Sequence, residues 1–217
     1  MKYLLLKLDG PMQAWGGHTY EDYRPSEIIP TRSGLIGLLA ACLGIERHEA
    51  DRLSDLSASV FFTVLAADRH LHAPSRCIVD FHTVTGVRKV DGSTREDPVV
   101  SRRQYLCDTV FTVAVGHNPG GAFSLDSIAR ALAKPVFTPY LGRRSCPPAR
   151  PLFAGWTDAV DGVEAVKAFC GGGVIYSEET VSDRALRLRD VPLYGRIRRF
   201  ATRTVFVHQG GQDNVLD

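Results

Sequence analysis

The chain has 217 residues, of which 44% are hydrophobic and 23% charged, and its formal net charge is +2 at neutral pH. This length and composition predict a folded protein with a substantial core, either as one large domain or as two small ones. No apolar run reaches the roughly 18 residues that a membrane-spanning helix needs, and Lys7 and Asp9 interrupt the first apolar stretch too early for a signal peptide. The sequence therefore predicts a cytoplasmic protein that has no membrane partner.

The cysteines and the basic residues limit further which kinds of protein the sequence can encode. The five cysteines are odd in number, and none forms a Cys-x-x-Cys pair, so neither a disulfide framework nor a zinc site is predicted. Only five of the 26 basic residues are lysine, which leaves 21 arginines. The planar guanidinium group suits phosphates and base stacking, although a GC-rich genome would produce the same bias. Between Arg184 and Arg203 there are seven arginines and a single acid, Asp190, which is a local excess that the net charge hides.

The first part of the chain predicts a buried strand followed by a long loop. Residues 2–8 are rich in leucine and end at a turn, and residues 12–29 form a polar connection with Gln13, Trp15 and Arg24. Loops of this length in compact domains are usually functional. The loop's aromatic residues could stack on nucleic-acid bases or could pack the loop itself, and the sequence leaves both interpretations open.

A short apolar helix follows, and we expect the rest of the chain to be organised around it. Thr31 or Ser33 can cap its N-terminus, and Gly44 can end it in the left-handed conformation. Apolar side chains on every face predict a helix buried between layers. Because helix N-termini favour anions, Arg32 and Ser33 are a candidate phosphate site. The alternative is an ordinary capped core helix.

The next segments predict a polar helix at residues 47–56, a core strand at 59–67 and an extended arm at 69–103. The arm has few large apolar residues, carries Arg88, Arg102 and Arg103, and contains the hairpin signal Asp91-Gly92. Its flanks at 81–90 and 99–105 look strand-like. This favours an ordered hairpin over a flexible surface insertion.

Another core strand is predicted at residues 109–115, and a second helix is predicted to begin after its N-cap residue, Ser124. The succession of strand, helix, strand, strand and helix is typical of a ferredoxin-like fold, which needs one more strand, expected near 136–141. Two helices should then cover one face of the sheet.

A basic, proline-containing loop at residues 142–148 carries Arg143, Arg144 and Ser145 and precedes a predicted domain boundary near residue 150. Beyond the boundary we expect a helix within 158–169 and strands at 174–177, 187–194 and 203–208. Residues 209–217 are expected to be frayed.

Several of these stretches together resemble the CRISPR-associated RAMP superfamily, and within it the subunits that hold the 5′ end of the guide RNA in type I-E Cascade. The resemblance extends from about residue 3 to residue 180. The matching runs are 8–16 (LDGPMQAWG), 30–39 (PTRSGLIGLL), 41–45 (ACLGI), 105–108 (YLCD), 138–147 (TPYLGRRSCP) and 175–179 (IYSEE).

The resemblance implies an α+β protein. It would have a ferredoxin-like (RRM-like) domain over residues 1–150, with a β-hairpin thumb at 69–103. The predicted boundary then leaves a smaller, mainly β region at 151–217. The implied function is non-catalytic binding of the crRNA 5′ handle for antiviral defence, without cofactor or metal. The implied partners are the Cascade backbone subunits and the large subunit, with target DNA reached indirectly through the guide. The candidate RNA-binding residues are Gln13, Trp15, Arg24, Arg32, Ser33, Arg88, Arg102, Arg103, Tyr140, Arg143, Arg144 and Ser145.

Two other functions compete with this interpretation. Some RAMP relatives cleave precursor crRNA without a metal, which requires a general base, a general acid and a cation beside the phosphate. Candidates for such chemistry are present but scattered: His18, Tyr20, Tyr23, His82, Lys89 and His117. The third possibility is a structural subunit that contacts only protein, against which the arginine excess argues.

Overall fold

The computed structural model describes residues 1–17, 19, 21–67, 77–169, 172–195 and 199–209. Its helices are α1 (Arg32–Leu43), α2 (Ala50–Ser59), α3 (Leu125–Ala133) and α4 (Gly162–Phe169). Its strands are β1 (Lys2–Asp9), β2 (Met12–Gln13), β3 (Trp15–Gly16), β4 (Tyr23–Arg24), β5 (Ser26–Glu27), β6 (Val60–Ala66), β7 (Cys77–Val84), β8 (Val99–Cys107), β9 (Val110–His117), β10 (Phe153–Asp158), β11 (Val174–Ser177), β12 (Ala185–Leu193) and β13 (Arg199–Gln209). Within these residues, no helix is long and apolar enough to cross a membrane.

One large antiparallel sheet organises the chain, and it makes the fold a mixture of α and β structure. Its strands lie in the order β10-β1-β9-β6-β11-β13-β12. Strands from both sides of residue 150 belong to this sheet, since β10 pairs with β1 and β11 pairs with β6. The sheet therefore continues across the predicted boundary.

Helices cover both faces of the central strands, which explains why β1 is apolar at nearly every position. Leu4, Leu6 and Leu8 pack towards α1 and α3 in the larger hydrophobic cluster. Tyr3 and Leu5 point to the other face, where they meet α4. Helices α1 and α3 lie on the face where two helices were predicted, and α2 joins them there through Leu53 and Leu56. The third layer, formed by α4, has no counterpart in that prediction.

Helix α1 has the caps that the sequence predicts. The Thr31 side chain accepts a hydrogen bond from the Gly34 N–H, and Gly44 ends the helix with φ +72°. Six of its residues are buried, and the only fully exposed position is Gly37. Such a helix is stabilised by burial between layers rather than by contact with solvent.

The predicted arm is an ordered hairpin over its described part, residues 77–103. Strand β7 pairs with β8 along its whole length, and the hairpin signal Asp91-Gly92 lies in the turn beyond them. Strand β8 also pairs with β2 and, in parallel, with β4, so the hairpin belongs to a second, smaller sheet. The start of the predicted arm, up to residue 76, lies outside the described residues.

The prediction of a strand near residues 136–141 is wrong. Pro135 and Pro139 lack the N–H groups that a sheet ladder needs. The segment instead packs against the end of α1, with the N–H groups of Val136 and Phe137 donating to the carbonyls of Cys42 and Ala41. The strand that completes this side of the sheet is β10, which the sequence interpretation did not predict.

Other boundaries differ by a few residues. The polar helix begins at Ala50 rather than at residue 47, and α4 begins at Gly162 rather than near 158. The strand at 174–177 is confirmed, and β12 and β13 extend the two predicted strands that follow it. Of the end predicted to be frayed, residue 209 closes β13 and residues 210–217 lie outside the described residues.

Candidate nucleic-acid interface

The N-terminus of α1 already holds an anion, and the protein itself supplies it. The backbone N–H of Arg32 donates to Oδ2 of Asp190 over 2.7 Å. A carboxylate at this position is favoured by the unpaired N–H groups and by the helix dipole, as a phosphate would be. The prediction that the Arg32 turn binds an RNA phosphate therefore does not fit the structure. The half-buried Ser33 beside it lies with its Oγ 3.5 Å from Oγ1 of Thr31.

The Arg32 side chain is also occupied within the protein. Its Nη2 donates to the carbonyls of Ser57 and Val60 at 2.6 and 2.9 Å, and its Nη1 pairs with Glu178. Arg203 shares the same carboxylates, donating to Glu178 and forming two 2.7 Å bonds to Asp190. The four charged side chains are between 6% and 14% exposed. We call Arg32, Glu178, Asp190 and Arg203 the buried ion network.

The network keeps its cations charged despite burial. Burial by itself lowers the pKa of Arg203, but hydrogen bonds to Asp190 and the charges of Glu178 and Asp190 outweigh it and hold the pKa above its usual value. Bidentate pairing of a guanidinium with a carboxylate is the strongest geometry for such bonds. The network therefore joins α1 to β12 and β13 and leaves no guanidinium in it for RNA.

Gln13 and Trp15 are completely buried, so they shape the long loop instead of presenting a surface to RNA. Gln13 Nε2 donates to the carbonyls of Leu8 and Thr109, and its Oε1 accepts from Trp15 Nε1 at 3.1 Å. The Trp15 ring also lies against Gly34 of α1, where an added Cβ would come within 2.8 Å of it. Of the two interpretations of Trp15, packing of the loop fits its burial, and direct RNA contact fits neither residue.

A basic cluster forms where three distant segments meet at β8. Arg143 donates to the carbonyls of Gln104 and Arg24 at 3.0 and 2.9 Å, and its guanidinium lies 4.8 Å from the centre of the Tyr105 ring. The strand register places Arg24 beside Arg103. The Nε of Arg103 donates a hydrogen bond to Oγ of Ser101. We call Arg24, Arg103, Arg143, Arg144 and Ser145 the Arg143 cluster.

Within this cluster the side chains differ in availability. Arg24, Arg144 and Ser145 are exposed, Arg103 is half-buried, and Arg143 is occupied by two carbonyls and a ring. Ser145 Oγ lies 3.5 Å from the Tyr105 hydroxyl. Arg143 therefore fixes the geometry, while its neighbours present the positive charge.

The loop that carries Arg143 is held in one conformation. Gly142 has φ +85°, and a Cβ at this position would lie 1.8 Å from the carbonyl oxygen of Ala14. The Leu141 carbonyl accepts from the Ala14 N–H, and the Leu141 N–H donates to Cys146. Only glycine fits such a close approach, so the loop is fixed against the segment that contains the buried Trp15. Tyr140, at the start of the loop, is 41% exposed.

The hairpin presents the remaining predicted residues away from this cluster. Arg88 is exposed near the hairpin turn, in a bridge with Thr94. Arg102 is exposed on the opposite face of β8 from Arg103 and pairs with Asp22 at 3.1 Å. Phe81, its neighbour on β7, is 67% exposed. Most of the predicted arginines therefore divide among the buried ion network, the Arg143 cluster and the hairpin, while Gln13 and Trp15 pack the loop, and no described contact joins Arg32 to Arg143.

Sequence reasoning missed the residues that decide this division. Glu178 and Asp190 complete the buried ion network, and Tyr105 lies beneath Arg143. One signal was available, because Asp190 is the only acid among seven arginines. A lone acid in a basic stretch indicates a specific partner.

The candidate residues for a nuclease do not converge in the described part of the chain. His82 lies on the exposed strand β7, 3.5 Å from Asp80, while Nε2 of His117 is buried at the end of β9. His18 and Tyr20 lie outside the described residues. Among the residues described, no three His, Cys, Asp or Glu side chains are grouped so that they could hold a metal ion.

Comparison with known proteins identifies this chain as a CRISPR-associated protein. The family model described as "CRISPR-associated protein (Cas_Cas5)" matches residues 3–206, and the chain belongs to this Cas5 family. It is 44% identical over 220 residues to the CRISPR system Cascade subunit CasD of Escherichia coli (strain K12), covering 97% of both chains.

Two solved structures are also similar. A chain of a CRISPR RNA-guided surveillance complex matches with a TM-score of 0.75 and 33% identity, over 96% of this chain and 90% of that chain. A crystal structure of a Cas protein matches with a TM-score of 0.64 and 29% identity, over 95% and 94%. Near-complete coverage in each case means that the similarity includes both the hairpin and the C-terminal strands.

Proposed function

We propose that the chain is the Cascade subunit that holds the 5′ handle of the crRNA, and that it does so without catalysis. The observation that carries this proposal is the 44% identity to CasD over 97% of both chains. The Arg143 cluster gives the proposal a physical site. It places exposed guanidinium groups beside a hydroxyl on a rigid loop, a combination that suits single-stranded RNA phosphates.

The proposal includes a ferredoxin-like core. Numbered in chain order, β1, β6, β9 and β10 would be core strands 1 to 4, and they lie side by side in the order 4-1-3-2. Helix α1 follows the first of them, and α3 follows the third. This arrangement supports the split β-α-β pattern. A division near residue 150 into the main domain and a smaller C-terminal region remains part of the proposal, with β10 shared between them.

Within the Arg143 cluster the residues have different roles. Arg24, Arg103 and Arg144 would contact phosphates, Ser145 would donate a hydroxyl, and the exposed ring of Tyr140 is available for stacking on a base. Arg143 would act as a positioning residue, since its donors already meet two carbonyls. Contacts of this kind hold the backbone of the handle and leave the guide sequence free to pair with target DNA.

The hairpin is the proposed contact to a neighbouring Cascade backbone subunit, and the large subunit is a further partner. Ile78, Val79 and Phe81 are each at least 46% exposed on β7, which pairs only with β8 among the described strands. Exposed apolar side chains on an edge strand favour docking to another protein. Arg88 and Arg102 would add charge to this contact.

The proposal is tested with the assembled, guide-bound complex. Arg24→Ala and Arg144→Ala should each weaken retention of the handle RNA and reduce the slope of log affinity against log salt by about 0.7. Arg47→Ala, which removes an exposed arginine elsewhere, is the matched control. RNA retention that matches the parent across a salt series for both cluster variants would refute the site. Cutting of precursor crRNA at the handle boundary by the purified chain in chelator would instead support the nuclease alternative.

A further inference from the structure

The described part of the arginine-rich stretch, residues 184–195 and 199–203, forms most of a two-stranded ribbon at the edge of the large sheet. Strands β12 and β13 are antiparallel neighbours, and β12 is the last strand of the sheet. The only acid of the stretch, Asp190, is 5% exposed and is bonded to Arg203 and to the backbone of Arg32. It is therefore not available to neutralise the other arginines of the ribbon.

The two faces of this ribbon differ sharply in polarity. Leu186 and Leu188 pack against the main hydrophobic cluster on the side of α1. Arg187 and Arg189 alternate with these leucines along the strand, so their side chains point to the opposite side, where they are exposed. On β13, the exposed Thr204 lies directly opposite Arg187. The outer face thus combines guanidinium groups with a hydroxyl.

A bulge helps to create this arrangement. The register shifts between Leu188 and Val191, so that two residues of β12 lie opposite one residue of β13. Asp190 turns inwards at this point, while Arg189 stays on the outside and its Nε donates to the Phe200 carbonyl at 3.2 Å. That bond holds the Arg189 side chain along the ribbon.

The outer face is also open in the described structure. Helix α4 covers this side of the sheet over β1, β6, β9 and β11, as its contacts with Leu5, Leu65 and Ile175 show. Further along, Arg187, Thr202 and Thr204 are exposed to solvent.

We propose that this outer face, defined by Arg187, Arg189, Thr202 and Thr204, is a second polynucleotide-binding surface that recognises phosphates irrespective of base sequence. Arginines two residues apart on a strand are about 7 Å apart, so they can follow consecutive phosphates of a nucleic-acid strand. The surface shares no residue with the Arg143 cluster and does not depend on the handle assignment. Its ligand is the phosphate backbone common to guide RNA and DNA.

The test uses the full chain and three labelled 20-nucleotide probes of the same sequence: single-stranded RNA, single-stranded DNA and duplex DNA. Binding is measured by fluorescence anisotropy over a potassium chloride series. The double variant Arg187→Ala/Arg189→Ala should reduce the salt slope by about 1.4 for the single strands and about 1.8 for the duplex. The control Arg47→Ala/Arg130→Ala removes the same charge from exposed positions outside the ribbon.

The same ribbon variant is then made in an Arg24→Ala/Arg144→Ala background, so that failure of this surface and failure of the handle site can be told apart. Further loss of binding in that background supports the ribbon, and a loss confined to one probe supports it and identifies the ligand. Slopes that match the parent for all three probes, or that fall equally in the control, overturn the proposal. Thermal unfolding close to that of the parent confirms that the ribbon variant is folded.

Discussion

Arg32 and Arg187 carry the same side chain in opposite surroundings. Arg32 is enclosed with Glu178 and the carbonyls of Ser57 and Val60, whereas Arg187 lies exposed on the ribbon beside a threonine. A buried guanidinium must have its charge and its donors satisfied inside the protein. Exposed arginines have no such requirement and can exchange water for phosphate. Burial, more than residue type, decides which arginines are available to RNA.

The same contrast separates two neighbours in the loop. Arg143 donates to two backbone carbonyls and lies over Tyr105, while Arg144 is exposed. The sequence Arg143-Arg144 contains nothing that distinguishes the two side chains. The difference arises because β4 and β8, which are far away in the chain, reach only the first of them.

The largest effect is expected from Arg203→Ala. The substitution leaves Asp190 and Glu178 buried without the cation that they share, and breaking a buried pair in this way costs about 3–5 kcal/mol. The free energy of unfolding, measured in urea, should fall by this amount. Arg187→Ala is the control and should change it by less than about 0.5 kcal/mol. Equal effects of the two substitutions would abolish the distinction between buried and exposed arginines.

Arg32→Ala should have a smaller effect on stability and no direct effect on RNA binding. Glu178 keeps its bond to Arg203, but the carbonyls of Ser57 and Val60 lose their donor, at a cost of about 2 kcal/mol. In guide-bound complexes at a temperature where the variant is folded, the RNA salt slope should equal that of the parent. A salt slope reduced by about 0.7 would show that Arg32 contacts a phosphate, and it would contradict the conclusion that its side chain is fully occupied within the protein.

Local signals explain the parts of the fold that sequence reasoning predicted. The caps Thr31 and Gly44 define α1 from residues within its own turns, and Asp91-Gly92 marks the hairpin turn. Strands β1 and β9 were found because both are continuous apolar runs, as expected for strands covered on both faces. Each of these signals lies within a few residues of the feature that it predicts.

The features that the sequence did not predict depend on contacts between residues far apart in the chain. Arg32 is separated from Glu178 and Asp190 by 146 and 158 positions, so no pattern near Arg32 reveals that Glu178 pairs with its side chain and that Asp190 occupies its helix terminus. Strand β10 contains Gly155 and has few alternating apolar residues, and its pairing with β1 identifies it. The apolar residues Val136 and Phe137 led to the prediction of a strand, but they lie in an irregular segment between two prolines.

The smallest expected effect concerns Glu27, which lies close to the buried ion network. Burial, and then the negative charge of Asp190, raises the pKa of the Glu27 carboxyl above its usual value. The folded state therefore binds this proton more tightly than the unfolded state, so ionisation of Glu27 costs stability as the pH rises through its folded pKa.

Glu27→Gln removes that cost. The variant should exceed the parent in free energy of unfolding at pH 7 by less than about 1 kcal/mol, because the side chain is only half-buried. The gain should fade as the pH approaches about 4, where the unfolded carboxyl of the parent is itself protonated. Urea unfolding at pH 4, 5, 6 and 7 measures the difference, with Glu96→Gln on the exposed hairpin as the control. A difference that stays constant over this range, or a variant less stable than the parent at pH 7, would contradict the raised pKa of Glu27 that burial and the charge of Asp190 together predict.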